Sequence, residues 1–259
     1  HDAKAGRAKG RTYVTASAGN HGMSVAAGAS AFGASAVVYI AESVPEVFAD
    51  RLRGLGAQVV REGAIYEDSM AAALKAANDN CWDILSDTSW PGYYERPHRL
   101  MEGYLMLMRE AIEQVPEVPT HIFLQAGVGG LAGSCAALAR DAWGAEPTIV
   151  VVEPELAPAL VASVKAGKFV TAEGPVSNMG RLDCKEPSLI ALKGLARDAD
   201  VFITLTEDEG TAGADLAQAH GYPSSTSGAA GLAGLVSTKE SLAIGNDALV
   251  LCILSEGPA

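Results

Sequence analysis

A chain of 259 residues with 49% hydrophobic and 19% charged residues is long enough for one large or two modest globular domains and too apolar for disorder. Its 31 acidic and 19 basic side chains give a net charge of −12 with no Lys/Arg run, so the clustered positive charge that nucleic acid or anionic lipid requires is missing. No stretch approaches the roughly 18 consecutive apolar residues of a membrane helix, and the polar start from His1 to Arg11 lacks an apolar signal core, so a cytoplasmic protein is expected.

Short β-rich runs alternate with longer Ala-rich helical patterns along the whole chain, which predicts an α/β fold with parallel strands and helices on their faces. Residues 13–15, 36–40, 58–60 and 82–85 read as the first strands, with helices starting from His21, Pro45 and Tyr66. Pro91-Gly92 and Pro97 then interrupt the pattern. Leu100, Met101, Tyr104, Leu105, Met108 and Ile112 recur at helical spacing and predict an amphipathic helix on a sheet face. Residues 121–124, 148–152, 201–203 and 249–254 are apolar on both faces, as buried parallel strands are. The breaker-rich residues 173–187 have no period and read as a surface excursion. The division expected is a smaller α/β domain over residues 18–95 and a larger one over 96–259 that also takes 1–17.

Cys81, Cys135, Cys184 and Cys252 are scattered without a C-x-x-C pair, so small buried hydrophobes are expected rather than disulfides or a metal site. His98, His121 and His220 stand outside any base or metal pattern.

Gly127-Val128-Gly129-Gly130-Leu131-Ala132-Gly133 follows a predicted strand and opens a helix running to about residue 142. Glycines let the backbone approach a phosphate, and helix N-terminal amides favour an anion, so a phosphate site is predicted, against the alternative of close strand–helix packing. Gly127, Gly129 and Ala132 also fit the small positions of a dinucleotide fingerprint, and Glu153 ends the next strand, where it could hold a ribose hydroxyl. Alone, this loop points to NAD.

A second segment, Thr15-Ala16-Ser17-Ala18-Gly19-Asn20-His21-Gly22, lies between a strand and a helix and offers hydroxyl, amide and backbone donors to an anion, or else is an N-cap made by Asn20. Ser17-Ala18-Gly19-Asn20-His21-Gly22 resembles the S-x-G-N-H-[AG] motif of fold-type II pyridoxal phosphate enzymes, the threonine dehydratase and tryptophan synthase β group. Residues 87–93 (D-T-S-W-P-G-Y), Pro97 with residues 101–104 (M-E-G-Y), residues 119–129, 152–154 and 227–229 bring the resemblance closest to diaminopropionate ammonia-lyases, over nearly the whole chain.

That resemblance implies a two-domain fold of three-layer parallel sheets, pyridoxal 5′-phosphate as cofactor, a small amino-acid substrate and a homodimer. It implies an α,β-elimination from 2,3-diaminopropionate or a related β-substituted amino acid, giving pyruvate and ammonia. Asn20 would face the cofactor ring oxygen, Gly127, Val128, Gly129, Gly130 and Leu131 would bind its phosphate, and the Ser255 hydroxyl would meet the pyridine nitrogen. Ser17, Ala18, Gly19 and His21 would contact substrate, and Asp87, just past a strand end, is the candidate base, or else an Asp that starts a turn on the Thr88 and Ser89 amides. Under this reading Glu153 merely ends a strand.

The sequence departs from the lyases at three places. Ala18 stands where they carry an Asp that serves the D-isomer, which implies preference for the L-isomer or another substrate, and Thr226 replaces a Glu before S-G-A. Neither Lys4 nor Lys9 matches the F-K motif of the cofactor lysine, which is expected upstream of His1, so that the N-terminal part of the fold is expected to be missing here. Three classes therefore stay open: the pyridoxal phosphate lyase, a nicotinamide-dependent oxidoreductase, and a non-catalytic relative.

Overall fold

The computed structural model describes residue 6 and residues 8–258. Lys4 lies outside the described residues, and Lys9 sits in an exposed turn closed by its amide on Gly6 O at 3.0 Å. The chain divides into two units, His1–Asp87 and Thr88–Ala259.

In the first unit β1 (Thr12–Ala16), β2 (Ser35–Ile40), β3 (Gln58–Arg61) and β4 (Asp83–Ile84) form a wholly parallel sheet in the order β3-β2-β1-β4. Strand side chains alternate between faces, so β2 serves two cores at once. Ala36, Val38 and Ile40 meet Val25, Ala26 and Ala29 of α1 (Asn20–Ala31) and Ala49 and Leu52 of α2 (Glu46–Gly54). Val37 and Tyr39, with Val14 and Ala16 of β1, meet Ala73 and Ala77 of α3 (Tyr66–Asn80) on the other face.

The second unit repeats the plan. β5 (His121–Gln125), β6 (Thr148–Pro154), β7 (Val201–Leu205) and β8 (Val250–Cys252) are parallel in the order β7-β6-β5-β8. Ile122, Leu124, Ile149 and Val151 pack with α4 (Glu95–Gln114), α5 (Gly130–Trp143), α6 (Ala159–Ala166) and α7 (Leu189–Asp198) through Met108, Cys135, Leu160 and Leu195. Phe123, Val150 and Val152 pack on the other face with Ala230 and Ala233 of α9 (Ala230–Thr238), which α8 (Glu207–Ala219) covers closely enough that a Cβ on Gly213 would lie 2.5 Å from Ala233 Cβ. Each unit is thus three layers with helices on both faces.

In each sheet one strand lies between its successor in sequence and the last strand: β1 between β2 and β4, β5 between β6 and β8. At such a reversal, connections leave to opposite sides and open a crevice at the strands' carboxyl ends. Both candidate segments follow these strands.

Three expectations are corrected. β1 is an inner strand of the first sheet, so residues 12–16 group with the smaller unit, and the division falls after Asp87 instead of Glu95. The amphipathic α4 lies chiefly against α5, where Ser134 Oγ donates to Met101 O at 2.9 Å and Gly130 and Gly133 face Met101, and it reaches the sheet through Met108. Residues 173–187 are not merely a surface excursion, because Met179 and Leu182 are buried among Phe123, Val150 and Val152. Among the described residues no helix is long and apolar enough to cross a membrane.

Candidate functional site

In the first unit the turn after β1 is fixed by its own backbone. The Ser17 amide donates to Tyr39 O at 3.2 Å, and Ser17 Oγ accepts from the Gly19 amide at 3.3 Å, folding the chain into α1. Gly19 is the N-cap and Asn20 the first helical residue, so the cap expected of Asn20 is not made by its side chain. A Cβ on Gly22 would lie 2.0 Å from Ser17 O, which requires glycine there. His21 Nε2 donates to Leu85 O at 2.8 Å, which makes it the Nε2-protonated tautomer and ties the turn to the segment leading out of β4 towards Asp87. Ser17, Ala18, Gly19, Asn20 and His21 are thus brought together at the β1/β4 reversal.

Asp87 ends this unit in a half-buried bend. Of the two amides that a turn-starting Asp would take, that of Ser89 goes to Ser188 Oγ at 3.1 Å, within the second unit. Ser89 Oγ also meets Ser188 Oγ at 2.8 Å and accepts from the Ile190 amide at 2.9 Å, fastening the segment to the start of α7. Trp90-Pro91-Gly92-Tyr93 then closes a turn, with the Tyr93 amide on Trp90 O at 2.9 Å and Gly92 at φ +88° as its third residue demands.

In the second unit Gly129, at φ +95°, is the N-cap of α5. Among the described residues no backbone carbonyl accepts from the amides of Val128, Gly129, Gly130 or Leu131. A Cβ on Gly127 would come within 3.1 Å of Arg181 O, and one on Gly129 within 3.2 Å of Leu160 Cδ1 and Ala191 Cβ, whereas one on Gly130 would meet nothing closer than 3.7 Å. The first two glycines therefore satisfy tight packing, whereas a Cβ on the third would make only ordinary contacts with Tyr104 and Met101.

Ser255 follows β8, the neighbour of β5. Gln125 Nε2 reaches its Oγ at 3.0 Å. The adjoining Glu256 is held by Ser224 Oγ, which donates to its carbonyl at 2.7 Å, and by Ser225 Oγ, which donates to its carboxylate; Gly228 gives them room, since its Cβ would meet Ser224 Oγ at 2.4 Å. Gly22, Ser89, Gln125 and Gly228 stood in the sequence only as members of motifs, with no role of their own, and Ser188 was not singled out; for Gln125 a lone Gln ending an apolar strand was the available signal. Thr226 Oγ1 donates to Asn178 O at 3.0 Å.

Glu153 rules out the dinucleotide reading. Fully buried, it accepts from the Leu160 amide at 2.8 Å on one oxygen and the Val161 amide at 2.7 Å on the other, so its carboxyl is turned into the protein, where no ribose can reach it. Burial pushes its carboxyl up to about 7 against the pull of those two amides.

Two doubly wound α/β units, one with a glycine loop and helix N-terminus at its sheet reversal, define a class of enzymes that grip a phosphorylated cofactor through backbone amides. A family model described as "Pyridoxal-phosphate dependent enzyme" matches residues 1–256. The chain belongs to this family, and its cofactor is pyridoxal phosphate. It is 32% identical over 265 residues to the diaminopropionate ammonia-lyase of Escherichia coli K12, covering 95% of this chain and 67% of that protein. The corresponding enzyme of Salmonella typhimurium LT2 is 36% identical over 200 residues, 74% of this chain and 50% of that protein. The crystal structure of the Escherichia coli enzyme in complex with an aminoacrylate-PLP azomethine reaction intermediate matches 95% of this chain and 68% of that one, with TM-score 0.88 and 31% identity. Threonine deaminase isoform 2 of Solanum lycopersicum, at 22% identity and TM-score 0.84, shares the fold.

The residues fit that cofactor. The backbone amides at the start of α5, which no carbonyl takes among the described residues, suit a phosphate dianion, the Ser255 hydroxyl stands at the same reversal, and buried beside it Gln125 Oε1 has no partner among the described residues.

Proposed function

We propose that this protein is a cytoplasmic, homodimeric lyase that eliminates ammonia from 2,3-diaminopropionate or a closely related β-substituted amino acid, leaving pyruvate and a second ammonia. The observation that carries the reading is the match to diaminopropionate ammonia-lyase along 95% of the chain at 32% identity.

Pyridoxal phosphate, when bound, supplies an electron sink that makes the Cα proton of an amino acid removable and lets a β-amino group depart. The amides of Val128 to Leu131 at the start of α5 bind the phosphate, and the Ser255 hydroxyl meets the pyridine nitrogen. Asn20 faces the ring oxygen. Ser17 Oγ accepts from Gly19, so its own proton remains to donate to the substrate carboxylate beside the backbone of Ala18 and Gly19. His21, tied to Leu85 O, holds this turn and the approach to Asp87 in register rather than acting on protons itself. The Asp87 carboxylate takes the Cα proton. Ala18 can neither accept a proton nor attract an ammonium, so the L-isomer is the preferred substrate.

Purified full-length protein supplied with pyridoxal phosphate is assayed for pyruvate and ammonia from L- and D-2,3-diaminopropionate. Faster pyruvate release from the L-isomer is expected, with a loss of at least about 100-fold in kcat in Asp87→Asn, the scale of a removed general base. No pyruvate from either isomer would sink the reading, and faster D-isomer turnover would sink the stereochemical part.

A further inference from the structure

Within residues 173–187, Lys185 carries an ammonium on a side chain that is only 18% exposed. Its three protons go to Leu156 O at 2.8 Å, Pro175 O at 2.9 Å and Asp183 Oδ1 at 2.6 Å, so none is left for an anionic ligand. Leu156 lies just beyond β6, Pro175 near the start of the segment and Asp183 near its end, so one nitrogen gathers three stretches of backbone. Hydrogen bonds from an ionised donor are about twice as strong as neutral ones, which makes this a firmer anchor than a backbone turn.

The backbone gathered in this way packs against the glycine loop. A Cβ on Gly127 would meet Arg181 O and Cys184 Sγ at 3.1 Å and Leu182 Cα at 3.3 Å, and Leu182 and Cys184 are the two neighbours of Asp183. One residue further along the loop, Val128 O accepts from the amide of the buried Ser188 at 2.9 Å. Residues 181–188 thus brace the loop at two successive positions, and Lys185 lies between the points of contact.

We infer that Lys185 is a positioning residue for this loop: by holding residues 181–188 against Gly127 and Val128, its ammonium keeps the amides at the start of α5 aimed at one point and so sets how tightly the phosphate of the cofactor is gripped. The inference rests on the reading that the amides of Val128 to Leu131 bind that phosphate. Amides at a helix N-terminus hold a dianion well only where they converge, and convergence to within about 0.5 Å needs packed support. Gly127, with no side chain, cannot supply that support itself; the brace does.

The test titrates full-length wild type, Lys185→Met and Asp183→Asn with pyridoxal 5′-phosphate and with pyridoxal, which presents the same ring without the phosphate. Met keeps the length of the side chain and removes the ammonium. Lys185→Met is expected to bind pyridoxal 5′-phosphate about 10-fold more weakly, the scale of one charge-assisted hydrogen bond, while its affinity for pyridoxal stays within about 2-fold of wild type. A lysine that only stabilised the fold would weaken both ligands alike or neither. Equal losses for the two ligands, or an unchanged affinity for pyridoxal 5′-phosphate, overturns this inference and leaves the cofactor reading standing. Equal affinity of wild type for the two ligands overturns both. If Lys185→Met does not fold, Asp183→Asn decides: the ammonium keeps its two carbonyls while the residue between Leu182 and Cys184 loses its ionic hold. A phosphate-selective loss of about 3-fold is then expected, and equal losses or wild-type affinities refute the proposal.

Discussion

At the scale of single residues, Glu153 carries the clearest pH signature. Its folded carboxyl lies near 7, raised by burial from the usual 4.5 despite two amide donors. Between those values the folded protein holds a proton that the unfolded chain has released. Stability therefore falls as pH rises through this window and levels off above about 7. At about 1.36 kcal/mol for each tenfold difference in proton affinity, the ceiling is ~3 kcal/mol. Glu153→Gln cannot titrate, so urea midpoints at about pH 5 and about pH 8 should converge in that variant while wild type loses stability at the higher pH. Equal pH dependence in the two proteins would refute the assignment.

At the scale of elements, the glycine loop separates packing from ligand binding. Gly129 has both a left-handed backbone and close neighbours in α6 and α7, so Gly129→Ala should cost about 1–3 kcal/mol in urea denaturation whether or not cofactor is present. Gly130, the first residue of α5, has neither, so Gly130→Ala should leave stability within about 0.5 kcal/mol and weaken pyridoxal phosphate binding alone. Equal stability losses in both variants would remove the distinction. The loop itself was legible in the sequence, because glycines between an apolar strand and an Ala-rich run have few other uses. What covers each element was less so. The apolar stripe of α4 predicts a buried face but not that α5 buries it, and residues 173–187 reach the core through two side chains with no period to betray them. Gln125 was hidden for a related reason: a polar residue closing a buried strand reads as the strand's end, and its three acceptors come from residues more than 100 positions away.

At the scale of the whole molecule, the sequence displays eight parallel strands well because strands buried on both faces are nearly continuous apolar runs. It misassigns β1, because a boundary drawn from motif order cannot see that residues 12–16 pair with both β2 and β4. That pairing has an energetic consequence, since each unit then owns two complete cores on the two faces of its sheet. Leu52 is fully buried in the first unit between α1, α2 and β2; Phe123 is fully buried in the second between β5, β6 and α9. Truncating either to Ala removes about 2–5 kcal/mol through lost burial and the cavity left behind. Because each of these cores, among the described residues, is built within one unit, the loss should be local. Leu52→Ala is expected to speed amide hydrogen exchange in β1, β2 and β3 with little change in β5 and β6, and Phe123→Ala to do the reverse. Uniform acceleration through both sheets in either variant would mean that the chain unfolds as one cooperative body, and the division after Asp87 would then describe geometry without describing stability.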